Sequence, residues 1–239
     1  FIGGGNMAAS LIGGLLADGF DAAGISVVDI NPQRLQHLQD RFAIKTAEDT
    51  QQLIQQADTV VLSVKPQVLK DVAINLAPAL KDRPVLVVSI AAGIRSTDLA
   101  RWLGKDVAVV RAMPNTPALV QCAASGLYAN HNVSEEQRED AESILRATGL
   151  AMWVEDEDQM NAVTALSGSG PAYFFRIMEA MEAAGRDLGL SHEAAKLLTL
   201  QTALGAAKLA MEANEDLAEL RRGVTSPGGT TERGLQVLN

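Results

Sequence analysis

Short apolar runs rich in β-branched residues alternate with helical patterns along the first two thirds of the chain. Phe1 and Ile2 form a short apolar run before a glycine turn, and further strands are predicted at residues 25–30, 59–64, 85–90, 107–113 and 126–129. Strands that alternate with helices are typical of βαβ units and a mainly parallel sheet. We therefore predict an α/β domain of the Rossmann type over residues 1–155.

Two of the predicted helices have start signals in the sequence. Asn31 followed by Pro32 is typical of an N-cap and a first helical residue. Ser134 and Gln137 have the spacing of a capping box, in which each side chain accepts from the other residue's backbone N–H. These signals place helices directly after residues 31 and 134.

The pattern changes after residue 155, where alanine, leucine and methionine dominate and no strand pattern remains. We predict a second, all-helical domain over residues 156–239. Its helices at 172–188 and 192–213 are apolar on more than one face, so both must be covered nearly all round. A partner subunit is the simplest cover, and a tight bundle against the sheet domain of the same chain is the alternative.

The charge balance argues against a nucleic-acid partner. The chain of 239 residues carries 20 Lys and Arg against 29 Asp and Glu, a formal charge of −9, and 4% aromatic residues. A protein that binds the phosphate backbone needs a basic face. No apolar run reaches the roughly 18 residues of a membrane span, and no leader pattern precedes the first strand. Cys122, the one cysteine, suits a reducing compartment, so we expect a soluble cytoplasmic protein with no membrane partner.

The glycine turn after the first strand is a candidate phosphate site. Gly3 permits a tight exit from the strand, Gly5 lets the backbone approach a pyrophosphate, and Ala8 is small enough for a helix to pack on the strand. The helix that follows would direct its free N–H groups at the phosphates. An ordinary glycine-rich turn would give the same pattern. The residues at the ends of the neighbouring strands are therefore needed to distinguish a phosphate site from such a turn.

Small residues and prolines follow several of the other predicted strands. They are Ser63, Val64, Lys65 and Pro66 at the end of the strand at 59–64, and Ala91, Ala92 and Gly93 after the strand at 85–90. Because ligands of open α/β sheets bind at the carboxyl ends of the strands, these segments predict a crevice for a dinucleotide.

The end of the second strand leaves the choice of nicotinamide cofactor open. Asp29 lies where an acidic residue would bind the ribose 2′-hydroxyl of NADH. Asn31, Gln33 and Arg34, just beyond, could instead receive the 2′-phosphate of NADPH. Asn31 is also explained as an N-cap, and Arg34 as an exposed helix residue.

A second candidate site lies near the carboxyl end, at residues 224–232. Gly228 and Gly229 stand among hydroxyl residues, so backbone N–H groups and side-chain donors lie together, as in a carboxylate-binding turn. The alternative is that Thr230 or Thr231 only caps a helix at 232–238. Both interpretations can be true at once, because a helix N-terminus is itself an anion site.

Four sequence blocks resemble the pyrroline-5-carboxylate reductase family: Phe1-Ile2-Gly3-Gly4-Gly5-Asn6-Met7, Val64-Lys65-Pro66-Gln67, the segment at 165–173 that contains Gly168-Ser169-Gly170-Pro171, and Val224-Thr225-Ser226-Pro227-Gly228-Gly229-Thr230-Thr231. The resemblance covers the whole chain. It implies a Rossmann domain followed by a helical domain that interleaves with a second subunit in a homodimer or a ring of dimers. It also implies the reduction of 1-pyrroline-5-carboxylate, a small molecule, to L-proline with NADPH or with NADH.

The resemblance assigns roles to individual residues. The implied cofactor contacts are Ile2, Gly3, Gly4, Gly5, Asn6, Met7, Asn31, Ser63, Val64, Lys65, Pro66, Ala91, Ala92 and Gly93. The implied substrate contacts are Ser226, Gly228, Gly229, Thr230 and Thr231. Thr231 and Glu157 are the implied catalytic residues, and no metal site is expected.

Two departures from the family pattern concern the cofactor. Thr50 stands where many relatives have an asparagine near the adenosine, and Pro32 stands where related folds often have an arginine for the 2′-phosphate. Both weaken the choice of NADPH over NADH. The rival functions are a reductase of the same superfamily that acts on another imino or hydroxy acid, and a regulator that binds the dinucleotide without catalysis.

Overall fold

The structure is a computed structural model that describes residues 1–47 and 50–238. The chain divides into two compact units, Phe1–Pro171 and Ala172–Asn239. The first unit is α/β and the second is helical, which confirms the predicted fold class. The predicted domain boundary between residues 155 and 156 stays a prediction.

The described strands form a sheet that follows the order of the chain from β3 onward. They are β1 Ser26–Val28, β2 Lys45–Ala47, β3 Thr59–Leu62, β4 Leu86–Ser89, β5 Ala108–Met113, β6 Ala123–Ala129 and β7 Gly149–Trp153. Neighbouring strands pair in parallel except β5 and β6, which are antiparallel. Ile2 forms parallel bridges to Val28 and Leu62 and so joins the β1–β2 pair to the β3–β7 sheet.

The position of Ile2 determines where a ligand can bind. From Ile2 the chain passes to β1 and β2 on one side, and then crosses to β3 on the other side of Ile2. The strand order therefore reverses at Ile2. In an open α/β sheet the crevice outside the carboxyl ends of the strands at such a reversal is where ligands bind.

The described helices connect these strands and then make up the second unit. They are α1 Asn6–Ala17, α2 Pro32–Phe42, α3 Thr50–Ile54, α4 Pro66–Leu80, α5 Ser96–Leu103, α6 Glu135–Arg146, α7 Gln159–Val163, α8 Gly170–Asp187, α9 His192–Glu212, α10 Leu217–Gly223 and α11 Thr230–Leu238. Both start signals are confirmed, because Asn31 caps α2 and Ser134 forms a capping box with Gln137 at α6.

The strand predictions differ from the structure in their bounds and in two strands that were missed. The strand predicted at 25–30 ends at Val28, and the strand predicted at 126–129 begins earlier, at Ala123. The edge strands β2 and β7 were not predicted. Only one described strand pairs with each of them, and β7 alternates between half-buried and exposed residues. β2 has three residues and β7 has five, so each gives only a weak strand signal.

The core of the first unit lies between the sheet and its helices. Leu11 and Ile12 of α1 and Leu69 of α4 are fully buried beside strand residues such as Leu62. Ala8 is also fully buried, as its predicted packing role requires. Burial of each such leucine or isoleucine stabilises the fold by about 1.5–3 kcal/mol. This packing holds the start of α1 in a fixed position.

The second unit exposes many large apolar side chains. On α8 and α9 they are Tyr173, Phe174, Phe175, Ile177, Met181, Leu197, Leu198, Leu200, Leu204, Leu209 and Met211. Apolar patches of this extent are typical of interaction surfaces. None of the helices in residues 1–47 and 50–238 combines the length and apolar character that a bilayer crossing requires.

Candidate active site

The glycine turn between Ile2 and α1 is fixed by backbone and side-chain contacts. Gly3 has a φ of 100°, and a Cβ atom there would lie 2.7 Å from the carbonyl oxygen of Ser63. The Ser63 hydroxyl donates to the carbonyl oxygens of Ile2 and Gly3, at 3.0 and 2.7 Å. Gly3 is therefore required by the chain itself, whatever ligand binds nearby.

Gly5 differs from Gly3 because nothing in the chain requires it to be glycine. It occupies the N-cap position of α1 with a φ of −73°, which any residue adopts, and a Cβ atom there would meet no atom within 4 Å. No side chain caps α1 at this position. The open space above Gly5 and the uncapped N–H groups of α1 fit a pyrophosphate.

A cavity of about 1420 Å³ in the first unit brings together most of the predicted cofactor residues. Pockets for drug-sized ligands have volumes of roughly 300–1,000 Å³, so this cavity is large enough for a dinucleotide. Its lining includes Ile2, Gly3, Gly4, Gly5, Asn6, Asn31, Ser63, Val64 and Lys65. The predicted residues that do not line it are Met7, Pro66, Ala91, Ala92 and Gly93.

The same cavity is lined by residues of α2 that were not predicted as site residues. His37 and Arg41 lie on it together with Arg34, which had been considered for a 2′-phosphate. Positions 34, 37 and 41 have the spacing of one helix face. The helical spacing of these basic residues was a signal in the sequence that could have indicated the cavity.

Asp29 lines the cavity, and both of its carboxylate oxygens accept backbone N–H groups. Its Oδ2 accepts from the Gly4 N–H at 2.7 Å, and its Oδ1 accepts from the Asn31 N–H at 2.8 Å. Asp29 is only 8% exposed, and an Arg34 nitrogen lies 3.6 Å from Oδ2. These contacts also explain why β1 ends at Val28, since Asp29 holds the glycine turn.

Glu157 is buried among donors from distant parts of the first unit. Its Oε1 accepts from the Ser96 N–H and from Arg111, both at 2.6 Å, and its Oε2 accepts from the Ser96 hydroxyl at 3.0 Å. Burial by itself would raise the pKa of this carboxyl. The hydrogen bonds from Ser96 and Arg111 outweigh burial and lower the pKa below its ordinary value of 4.5. Glu157 is therefore ionised at neutral pH and caps the start of α5.

The charge of Glu157 is largely compensated within the chain. Arg111 is buried beside it, and the Arg95 Nε atom lies 3.6 Å from its Oε2. A second Arg95 nitrogen lies 2.8 Å from Asp158. This network links the start of α5 to β5 and to the segment before α7. The contacts indicate a positioning function, and the predicted catalytic role of Glu157 stays a prediction.

The second predicted site lies in the helical unit, in the turn before α11. Gly228 has a φ of 74°, and its N–H donates to the carboxylate of Glu232 at 2.9 Å. Thr230 and Thr231 are the first two residues of α11 and are exposed, so Gly229 takes the N-cap position. The turn therefore accepts a carboxylate at Gly228 and leaves the hydroxyls of both threonines at the surface.

Comparison with known proteins covers both units of the chain. Residues 157–239 match the family described as pyrroline-5-carboxylate reductase dimerisation, and residues 1–93 match the family described as NADP oxidoreductase, coenzyme F420-dependent. A pyrroline-5-carboxylate reductase of Pseudomonas aeruginosa is 56% identical over 236 residues, which cover 99% of this chain and 86% of that protein. The chain belongs to the pyrroline-5-carboxylate reductase family.

Solved structures of the pyrroline-5-carboxylate reductase family have the same fold. The protein of Coxiella burnetii is 47% identical with a TM-score of 0.94, and the similarity covers 100% of this chain and 88% of that one. The Plasmodium falciparum protein, solved with NADP bound, is 28% identical with a TM-score of 0.88 over 100% and 87% of the two chains.

Proposed function

We propose that this chain reduces 1-pyrroline-5-carboxylate to L-proline by hydride transfer from NADPH, the last step of proline biosynthesis. The observation that carries the proposal is the 56% identity to a pyrroline-5-carboxylate reductase, which extends over 99% of the chain. The glycine turn in the first unit and the turn at 225–231 in the second lie within that match. The single cysteine and the proposed biosynthetic role favour the cytoplasm.

The cofactor is NADP(H), bound in the cavity of the first unit, and NADH is the second candidate. Three observations support this assignment. The first 93 residues match an NADP oxidoreductase family, a related structure contains NADP, and the space at Gly5 fits a pyrophosphate. Ser63 and Gly3 hold the turn in shape, and Gly5 and the start of α1 would face the phosphates.

The reaction requires few protein groups. When bound, the reduced nicotinamide supplies a hydride to the imine carbon, and the imine nitrogen gains a proton. We assign the substrate carboxylate to the backbone N–H groups of the turn formed by Gly228, Gly229 and Thr230, with Ser226 beside it. In support, the Gly228 N–H donates to a carboxylate oxygen of Glu232, which the substrate carboxylate would have to replace at that N–H.

Thr231 is assigned to the ring nitrogen of the substrate. A threonine hydroxyl is a weak acid, so in this proposal it orients the nitrogen and relays a proton that comes from water. Glu157 would favour the protonated, more electrophilic iminium through its charge. Because Arg111 and Arg95 compensate that charge, we expect its effect to be smaller than that of Thr231.

The test is a steady-state assay of the purified protein with 1-pyrroline-5-carboxylate, with NADPH and NADH measured separately. We expect proline as the product and a higher kcat/KM with NADPH. A second small imino acid, such as the six-membered analogue, serves as the comparison substrate. If the protein oxidises neither cofactor, or reduces only another imino acid, the proposed function is wrong.

We also propose that the protein is a homodimer, alone or within a ring of dimers. The match of residues 157–239 to a dimerisation family and the exposed apolar side chains of α8 and α9 support this. Burial of such faces contributes about 25 cal/mol per Å², so the folded monomer should be poorly populated.

The prediction is a dimer or larger species at micromolar concentration in analytical ultracentrifugation. Phe174→Glu places a charge on the exposed face of α8 and should shift the distribution toward smaller species. Leu119→Glu, at an exposed residue of the first unit, is the matched control. A folded monomer of the unmodified protein at that concentration would contradict the proposal.

A further inference from the structure

The buried side chain of Asn115 joins three segments of the first unit that are far apart in the chain. Asn115 lies two residues after the end of β5 and is only 8% exposed. Its Oδ1 accepts from the Ala124 N–H at 3.0 Å, and its Nδ2 donates to the Ser167 carbonyl oxygen at 3.0 Å. The β5–β6 ladder ends at the pair Met113 and Gly126, so Asn115 supplies the acceptor beyond its last pair. A side chain that only donates or only accepts cannot make both contacts.

The carbonyl oxygen that Asn115 binds belongs to a π-helix. This π-helix, Thr164–Gly168, lies between α7 and α8. Single π-helical turns are rare and frequently lie at functional sites. The turn fits closely against the end of β5, because a Cβ atom at Gly168 would lie 2.6 Å from the Cε atom of Met113. The hydrogen bond from Asn115 to Ser167 therefore ties the segment that leads into α8 to the end of β5.

The same end of the sheet is where the nicotinamide half of the cofactor is expected. A dinucleotide in this fold lies across the point where the strand order reverses, with its pyrophosphate at the glycine turn. The adenosine ribose belongs at the end of β1, so the nicotinamide belongs on the other side, at the ends of β3, β4 and β5. The segment after Asn115 is consistent with this placement, since Ala118, Leu119 and Gln121 line the cavity.

We propose that Asn115 is a positioning residue for hydride transfer, which holds the cavity wall after β5 and the π-helix in the geometry that the reaction requires. It acts through Ala124 and Ser167. Transfer between two carbon atoms depends steeply on their separation, and a misplacement of about 1 Å can lower a rate about 100-fold. The affinity for NADPH depends mainly on the phosphates at the glycine turn, so it should change little. This inference rests on the proposed function and deepens it.

Asn130 offers a matched control at the opposite end of the same pair of strands. Its Oδ1 accepts from the Val109 N–H at 3.1 Å, and its Nδ2 donates to the Val107 carbonyl oxygen at 3.0 Å. Because β5 and β6 are antiparallel, Asn115 and Asn130, which follow one strand each, hold opposite ends of the pair. In Asn115→Asp and in Asn130→Asp a carboxylate oxygen replaces the donating nitrogen and faces a carbonyl oxygen. Both variants should lose stability, and only the first should lose activity.

The first test combines steady-state kinetics on 1-pyrroline-5-carboxylate with fluorescence titration of NADPH. Asn115→Asp should lower kcat about 10- to 100-fold and leave the dissociation constant of NADPH unchanged. NADPH deuterated at the transferred position should show a larger isotope effect on kcat than it does with the unmodified protein, because hydride transfer becomes slow relative to product release. Asn130→Asp should match the unmodified protein in all three measurements.

The second test needs neither cofactor nor turnover. Hydrogen–deuterium exchange measures the local opening of backbone N–H groups. Asn115→Asp should raise exchange at residues 116–124 and 164–169, whereas Asn130→Asp should raise it at 105–109 and leave the other two segments unchanged. Denaturant unfolding checks that each variant is folded. If Asn115→Asp does not fold, Asn115→Ser removes the carboxamide without adding a charge and is measured with the same expectations.

Three results would overturn the inference. One is an Asn115→Asp protein with lowered stability but normal kcat and a normal isotope effect, since Asn115 would then only stabilise the fold. Another is an equal loss of kcat in Asn130→Asp. The third is unchanged exchange at residues 164–169 in Asn115→Asp. An unmodified protein that reduces no 1-pyrroline-5-carboxylate would instead refute the proposed reaction, and the exchange measurement would still decide whether Asn115 holds the two segments.

Discussion

Gly5→Val is expected to leave the protein folded and to raise its dissociation constant for NADPH about 100-fold or more. A Cβ atom at Gly5 meets nothing within 4 Å, and the backbone there has an ordinary φ of −73°. The valine would occupy the space assigned to the pyrophosphate and remove contacts of about 1.5–3 kcal/mol each. A 100-fold change corresponds to about 2.7 kcal/mol. Quenching of protein fluorescence by NADPH measures the affinity.

Gly3→Ala is the comparison variant, and it should lower the stability of the fold, which Gly5→Val should not. Gly3 has a φ of 100°, and a Cβ atom would lie 2.7 Å from the Ser63 carbonyl oxygen. Backbone strain of this kind costs about 1–3 kcal/mol, so denaturant unfolding should show lower stability. A folded Gly5→Val protein that binds NADPH with unchanged affinity would remove this turn from the cofactor site.

Thr231→Ala is expected to lower kcat about 10- to 1,000-fold while the affinity for NADPH is unchanged. If the hydroxyl bonds to the imine nitrogen mainly as charge reorganises, its loss removes about 1.4–4 kcal/mol of transition-state stabilisation. If it binds only the ground state, KM should rise and kcat should be preserved. Steady-state rates over a range of substrate concentrations distinguish these results.

A purely structural role for Thr231 gives a different result. Gly229 and not Thr231 takes the N-cap position of α11, so a Thr231 hydroxyl with no catalytic function could be removed with normal kinetics and nearly unchanged stability. Thr225→Ala is the control, since the Thr225 hydroxyl donates to the Arg221 carbonyl oxygen at 2.6 Å within the same segment. Normal kinetics in Thr231→Ala would exclude Thr231 from the active site. Glu157→Gln would then be the next variant to measure.

Local signals in the sequence determined much of the fold. The caps at Asn31 and Ser134 depend on residues two or three positions away, so the sequence pattern alone identifies them. The change from strands that alternate with helices to helices alone is likewise visible in short segments of the sequence. The glycine turn was predicted for the same reason. Its neighbours Ser63, Val64 and Lys65 were predicted because the carboxyl ends of parallel strands share one edge of the sheet.

The edge strands β2 and β7 formed only because a neighbour was available to pair with them. Their five or fewer residues carry little strand signal of their own. In each, the hydrogen bonds to the adjacent strand decide the conformation, and no local pattern reports which strand will be adjacent.

At the candidate site, Asp29 and Glu157 show the same difference between what the sequence determines and what the tertiary structure decides. From the sequence, Asp29 stood in the position of a ribose ligand and Glu157 in that of a catalytic group. The tertiary structure brings Gly4 to Asp29 across 25 residues, and Ser96 and Arg111 to Glu157 across 61 and 46 residues. A carboxylate in a buried position binds whichever donors the fold brings to it, because an unpaired buried charge is too costly. The sequence alone determined that Asp29 and Glu157 carry carboxylates, and the tertiary structure decided which donors those carboxylates bind.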